Sequence, residues 1–153
     1  MAKYRIGFIL DSSADLSEKM DHLPNVFRVP LTINFGADKY IDGVTIDKTE
    51  FYQKIEKANP YPKTSPPEVN DFLKIYLQAF ELCDALLVLT LTSHASLTYQ
   101  NAVSASKLLT ADQLTKIRCV DSKHIGGSIS LIFSRLYRSY EEGYGIGVLN
   151  SEA

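Results

Sequence analysis

The chain is poor in the residues that hold metals and cross-links. It has two cysteines, Cys83 and Cys119, far apart in sequence, with no CxxC spacing and no histidine close enough to complete a ligand set. Each borders an apolar, strand-like run, so both read as free buried thiols of a reducing cytoplasm. No hydrophobic run approaches the length of a membrane-spanning helix. The opening MAKYRIGFILDSS has too short an apolar core for a signal peptide and no small-residue cleavage pattern. A cytoplasmic protein without membrane insertion is expected. Excess charge of one sign is also missing. The formal net charge is −2, the pI is near 5.9, and Lys and Arg are scattered, so no nucleic-acid footprint is present. Neither GxGxxG nor GxxxxGKS/T occurs, and there is no internal repeat or low-complexity tract.

What is there is ordinary and well patterned. The 153 residues are 45% apolar and 22% charged, which suits one domain with a real core. Residues 4–10 (YRIGFIL) predict a central strand, closed by the cap and turn formers of 11–15. A short helical segment is expected near 16–20. Residues 26–35 form the next strand region, with a break at Pro30 because proline cannot donate to a ladder. Residues 39–41 pair back briefly between turns at 36–38 and 42–43. Asp47 caps a helix over 48–58 with Phe51, Tyr52 and Ile55 on its apolar face. Ser65 is placed to cap a helix with proline in its first turn, running to Leu82 with Phe72, Ile75, Tyr76, Ala79 and Phe80 buried.

The stretch 84–102, DALLVLTLTSHASLTYQNA, organises the rest. An apolar strand gives way to a hydroxyl-rich loop and then a helix, which sets Oγ donors beside unpaired backbone N–H groups and suits a carboxylate or a phosphate. Residues 112–116 read as a polar connection and 117–120 as a short strand. Gly126-Gly127 opens a last helix carrying Ile129, Ile132, Phe133, Leu136, Tyr137 and Tyr140, with Gly143 as its stop. Residues 1–143 then form the domain and 144–153 a loose tail.

Strands alternating with helices predict an α/β fold with a mainly parallel sheet and helices on both faces. Ligands in such sheets bind beyond the carboxyl ends of the strands. Three strand ends carry hydroxyls, at Ser12-Ser13, Ser93–Ser96 and Ser122, and Thr64-Ser65 adds a fourth pair. Ser96, His94 and Asp121 invite comparison with a hydrolase triad, but Ala95-Ser96-Leu97 lacks the flanking glycines of a nucleophile elbow. His124 beside Asp121 is one histidine and one carboxylate, which do not make a metal site.

Taken in order, these pieces resemble the DegV family of bacterial fatty-acid-binding proteins. The matching residues are Asp11-Ser12-Ser13-Ala14-Asp15-Leu16, Val29-Pro30-Leu31, Tyr40-Ile41-Asp42-Gly43, Phe51-Tyr52, Lys63-Thr64-Ser65 with Pro67, Ser96 with Thr98-Tyr99-Gln100, and Val120-Asp121-Ser122. The likeness covers nearly the whole chain but only the family's N-terminal domain. It implies a carrier that buries a fatty acyl chain between two domains and, in several members, presents the carboxylate to a fatty-acid kinase subunit. The family's headgroup ligands fall here on Thr64 and Ser96. Leu97 stands where the family usually has glycine and Glu68 where a small polar residue is usual. The second domain, with its basic headgroup residues, lies outside the likeness.

The first reading is therefore a non-enzymatic lipid-binding module whose ligand is a long-chain fatty acid, with no cofactor and no metal. Thr64, Ser65, Ser93, Ser96 and Ser12 are its candidate carboxylate ligands, and Leu97 lines the acyl chain. Hydroxyls and N–H groups suit that task because they bind a carboxylate without reacting with it. An exposed tunnel wall predicts a homodimer. Two other readings stay open. One is a shortened family member that serves as an interaction or regulatory module without lipid; the other is an enzyme on an acyl or phosphoryl group, for which no general base is well placed.

Overall fold

The computed structural model describes residues 3–153. Four parallel strands make the main sheet, in the order β2 (Val26–Val29), β1 (Tyr4–Asp11), β6 (Cys83–Thr90), β7 (Ile117–Asp121). The two central strands are the most apolar, as burial on both faces requires. Their side chains alternate between two cores. Ile9, Leu86 and Val88 pack against Phe72, Tyr76, Ala79 and Phe80 of α3 (Val69–Leu82) and Ala102 and Ala105 of α4 (Thr98–Ser106). Phe8, Leu10, Leu87 and Leu89 face Ile129, Phe133 and Leu136 of α6 (Gly127–Glu141) on the other side. Phe8 meets Phe133 edge to face at 5.4 Å. Fully burying each such side chain contributes about 1.5–3 kcal/mol. The parallel sheet with helices on both faces agrees with the pattern read from the sequence.

Gly7 of β1 lies opposite Leu86 of β6, with no room for a side chain. A Cβ there would lie 2.8 Å from Cys83 Sγ and 3.0 Å from Leu86 Cδ2.

A second, antiparallel sheet, β4 (Asp38–Ile41), β3 (Thr32–Phe35), β5 (Lys63–Ser65), forms separately from the first. The region 26–35 is thus two strands in two sheets. Pro30 ends the first ladder, and Leu31 turns the chain away, its N–H donating to Ser12 Oγ at 3.0 Å. That bond seats the small sheet at the carboxyl end of the large one.

Four other expectations change. Ser65 caps no helix. Lys63–Ser65 pairs with β3, and α3 starts only at Val69, where Asp71 accepts the Glu68 N–H at 2.9 Å. The Asp47-capped helix α2 (Lys48–Ile55) stops short of 58. Residues 112–116 hold a short helix, α5 (Ala111–Thr115), closed by reciprocal Thr110–Gln113 hydrogen bonds. The stretch 144–153 holds α7 (Ile146–Glu152), whose Leu149 is fully buried in the α6-side core. Helices of five and seven residues show too little of a 3.6-residue period to stand out in a sequence. The short helix near 16–20 is α1 (Glu18–Asp21). No helix among the described residues is long and apolar enough to cross a membrane.

Candidate functional site

The carboxyl ends of β1, β6 and β7 lie side by side, so the loops after them share one end of the sheet. Two aspartates fix those loops. Asp11, 1% exposed, accepts the Leu91 N–H at 2.7 Å and the Ser13 N–H at 2.9 Å, and the Ser13 hydroxyl as well. It therefore joins the β1 exit to the β6 exit. Burial pushes its carboxyl above the usual range, against the lowering effect of those hydrogen bonds and of the Arg28 charge. Asp121, at the end of β7, accepts the Ser93 N–H at 3.1 Å, the Ser93 hydroxyl, and the Lys123 N–H at 3.0 Å. Burial opposes its ionisation, but these donors win and hold it below the usual carboxylate range. The loop after β6 is thus gripped at Leu91 from one side and at Ser93 from the other.

Two depressions, of about 350 and 560 Å³, open beside this loop and share Leu31 and Thr64. They form one groove between the two sheets. Ser12, Lys48, Phe51 and Tyr52 line its first half, and His94, Ser96 and Leu97 line its second. Thr64 stands at the junction because β5 sets it opposite Ile33 of β3, while Lys63 and Ser65 point to the other face.

The hydroxyls along the groove differ in what they have left to give. Ser12 Oγ accepts from Leu31 N–H, which leaves its own proton free to donate. Ser96 Oγ accepts the Thr98 N–H at 3.2 Å and lies 2.8 Å from Thr98 Oγ1. With Thr98 as donor, Ser96 keeps an O–H for the groove. Thr64 has no side-chain partner among the described residues. Ser93 lines the groove, but its proton is committed to Asp121. Ser65 lies off the groove and accepts from Asn34 Nδ2 at 3.0 Å. Leu97 is 61% exposed at the rim. Glu68 is exposed and lines neither half.

Charge in the groove is sparse. Lys48 is paired with Asp15 at 2.9 Å in the Ser12 half, where Asp42 also lies. The hydrolase-like trio makes no mutual hydrogen bonds: Ser96 turns to Thr98, His94 Nδ1 to Thr92 Oγ1, and Asp121 to Ser93. Among the described residues no group of three or more His, Cys, Asp or Glu is set to hold a metal ion. The two aspartate clamps were not singled out from sequence. Their signal is the Asp-Ser pair that follows two separate apolar runs, Asp11-Ser12 and Asp121-Ser122.

The chain is similar to known proteins over nearly its whole length. A DegV domain-containing protein of Caldanaerobacter subterraneus subsp. tengcongensis is 31% identical over 91% of this chain and 48% of its own length. One from Clostridium perfringens is 29% identical over 97% and 52%. The chain therefore spans about half the length of the curated relatives it matches. Among solved structures, a stearic-acid-binding protein from Eubacterium ventriosum superposes with a TM-score of 0.86 at 29% identity, covering 97% of this chain and 51% of that one. A Thermotoga maritima protein described as revealing fatty acid binding gives 0.85 at 30% identity, covering 97% and 54%. The family model for the uncharacterised DegV proteins matches residues 5–149, and this chain belongs to the DegV family.

Proposed function

We propose that this chain is a fatty-acid-binding unit that holds an acyl carboxylate on the free hydroxyls of Thr64, Ser96 and Ser12. The observation that carries the proposal is that these three, drawn from three separate loops and strands, line one groove whose wall also carries Leu31, Ile33, Phe51, Leu91 and Leu97. A carboxylate accepts several short hydrogen bonds, and charge-assisted bonds of this kind are roughly twice as strong as neutral ones. Leu31 and Leu97, with Phe51 and Tyr52 beyond them, would flank the first carbons of the chain. The fatty acids named for the similar solved structures support the same ligand class.

The role is binding rather than catalysis. No base is hydrogen-bonded to Ser96, Thr64 or Ser12, so none of them is an activated nucleophile. The groove is open, which leaves a bound carboxylate within reach of a fatty-acid kinase subunit acting on it. It also leaves apolar rim residues for a second domain or a second copy of the chain to cover, in a cytoplasmic setting.

Mass spectrometry of an organic extract of the purified chain tests the reading. A fatty acid near one per chain, or per dimer, supports it, and Thr64→Val should then lower affinity several-fold without lowering the melting temperature. An empty protein that also fails to bind added oleate would overturn it and leave the interaction-module reading.

A further inference from the structure

We infer that residues 31–65, the small sheet with α2, form a hinged flap over the groove, latched shut by the Lys48–Asp15 pair. The flap opens to admit an acyl chain, a role that rests on the carboxylate reading above. Both ends of the unit are marked by proline. Pro30 directly precedes it, after β2, and Pro66-Pro67 directly follow it, after β5. Hinges are commonly a few residues at the ends of elements, and proline fixes φ there, which confines the motion to a few rotations. Asn101 holds the second hinge to α4, donating to the Pro67 carbonyl at 2.8 Å.

The unit has a small core of its own and no share in the two large ones. Leu31, Ile33 and Ile46 are its buried side chains, and none belongs to the cluster on either face of the main sheet. Phe35 meets Tyr40 at 5.9 Å and Phe51 at 6.0 Å, both edge to face and both within the unit. α2, β4 and β5 bury no residue at all. Shared apolar burial is what locks one unit to another, and a unit without it opens at low cost.

Among the described residues, two hydrogen bonds cross from 31–65 to the rest of the chain. Leu31 N–H donates to Ser12 Oγ at 3.0 Å, and Lys48 Nζ donates to Asp15 at 2.9 Å. The first adjoins the Pro30 hinge, so the second is the one that holds the swinging part. Its members are 80% and 63% exposed. An ion pair of that kind is weak and screened by salt, which suits a latch that must open.

Closure assembles the groove. Ser12 and Ser96 belong to the body, whereas Thr64 rides on β5 in the flap, so the shut latch brings the three hydroxyls together. Opening carries Phe51 and Tyr52 of α2 away from Ser12 and widens the first half of the groove.

Spin labels at Lys57→Cys in the flap and Lys107→Cys in the body measure their separation in the whole chain by pulsed electron resonance. A second pair, Lys107→Cys with Glu142→Cys, reports on the body alone. All three positions are exposed, and burial makes the native thiols poor competitors for the label. The flap–body pair should show a major closed and a minor open distance, and the body pair a single one. Lys48→Met, Asp15→Asn and about 1 M salt should each raise the ratio of open to closed about two- to five-fold, the effect of losing one exposed ion pair. Salt should add nothing to either substitution, and the charge swap of Asp15→Lys with Lys48→Asp should restore the closed share at low salt. Oleate should return the Lys48→Met chain to the closed distance. A single flap–body distance that ignores the substitutions and the salt would overturn the flap, and the carboxylate groove would stand if oleate still binds. Failure of oleate to bind would overturn the groove reading and the flap's role in admitting the chain, while the latch itself is decided by the substitutions and the salt.

Discussion

The Asp11 clamp is the most exposed point of this reasoning, and Asp11→Asn tests it. The carboxylate receives hydrogen bonds from Leu91 N–H at 2.7 Å, Ser13 N–H at 2.9 Å and the Ser13 hydroxyl, using both oxygens. Asparagine keeps one acceptor oxygen and turns an NH2 group toward the other donor. Either Leu91 N–H or the Ser13 pair then loses its partner at a site that is 1% exposed. Leaving a buried donor unmet costs about 1–3 kcal/mol. For a chain of this size each kcal/mol moves the melting temperature by about 2–4 °C, so a fall of about 2–12 °C is expected by calorimetry at neutral pH. The pH dependence has a definite sign. Burial raises the folded-state pKa of Asp11 above its unfolded value of 3.8. Its titration therefore contributes stability that is fully present below the unfolded value and is lost as pH rises through the folded one. Asparagine does not titrate, so the gap between wild type and variant widens as pH falls through that window. An unchanged melting temperature would refute the clamp, and a gap that narrows toward acid would mean that its hydrogen bonds outweigh burial at this carboxylate.

Three further outcomes follow from the packing. Gly7→Ala would push a methyl group to within 2.8 Å of Cys83 Sγ, and overpacking of that kind costs about 1–3 kcal/mol in a denaturant titration; an unaffected midpoint would mean that the β1–β6 contact at Cys83 and Leu86 is looser than described. Leu149→Ala empties a fully buried position and should cost about 2–5 kcal/mol, whereas a cost near zero would return residues 144–153 to the status of a tail. Burial, aided by Asp84 at Cys83, pushes both thiols up to about 11 from 9.0, so native Cys83 and Cys119 should react with a disulfide reagent at least about 100-fold more slowly than in the unfolded chain. Modification of either at the rate of an unfolded thiol would refute the burial assigned to it.

The parts of this fold that were legible are those with long, regular patterns. The continuous apolar runs of β1 and β6, the i, i+4 stripe of α3 from Phe72 to Tyr76 to Phe80, and the α6 face from Ile129 to Leu136 each repeat enough times to declare a period. The parts that were not are short or decided by distant partners. Nothing local to Lys63-Thr64-Ser65 distinguishes a strand from a helix entry, because proline follows in either case. What makes it a strand is β3, about thirty residues earlier, offering Asn34, Ile33 and Thr32 as partners. The candidate site was legible as a set of strand-end hydroxyls. Which of them keep a free proton depends on Asp11, Asp121 and Thr98, and that is a tertiary fact.

This difference also bears on how the groove would hold the monocarboxylate proposed for it. The donors that remain free lie in the loops after β1 and β6, which the two aspartate clamps fix, and on β5, which β3 holds by pairing. Binding then needs little ordering of the protein, and less of the interaction energy is lost to entropy. A phosphate would bring more charge than a groove whose lysine is already paired can meet. The exposed side chains of Leu97 and Tyr52, 61% and 64% accessible, would gain most from an apolar partner running along the groove. The proposed fatty acid, with one negative charge and a long apolar tail, would satisfy both ends, and neither a free phosphate nor a short carboxylic acid would.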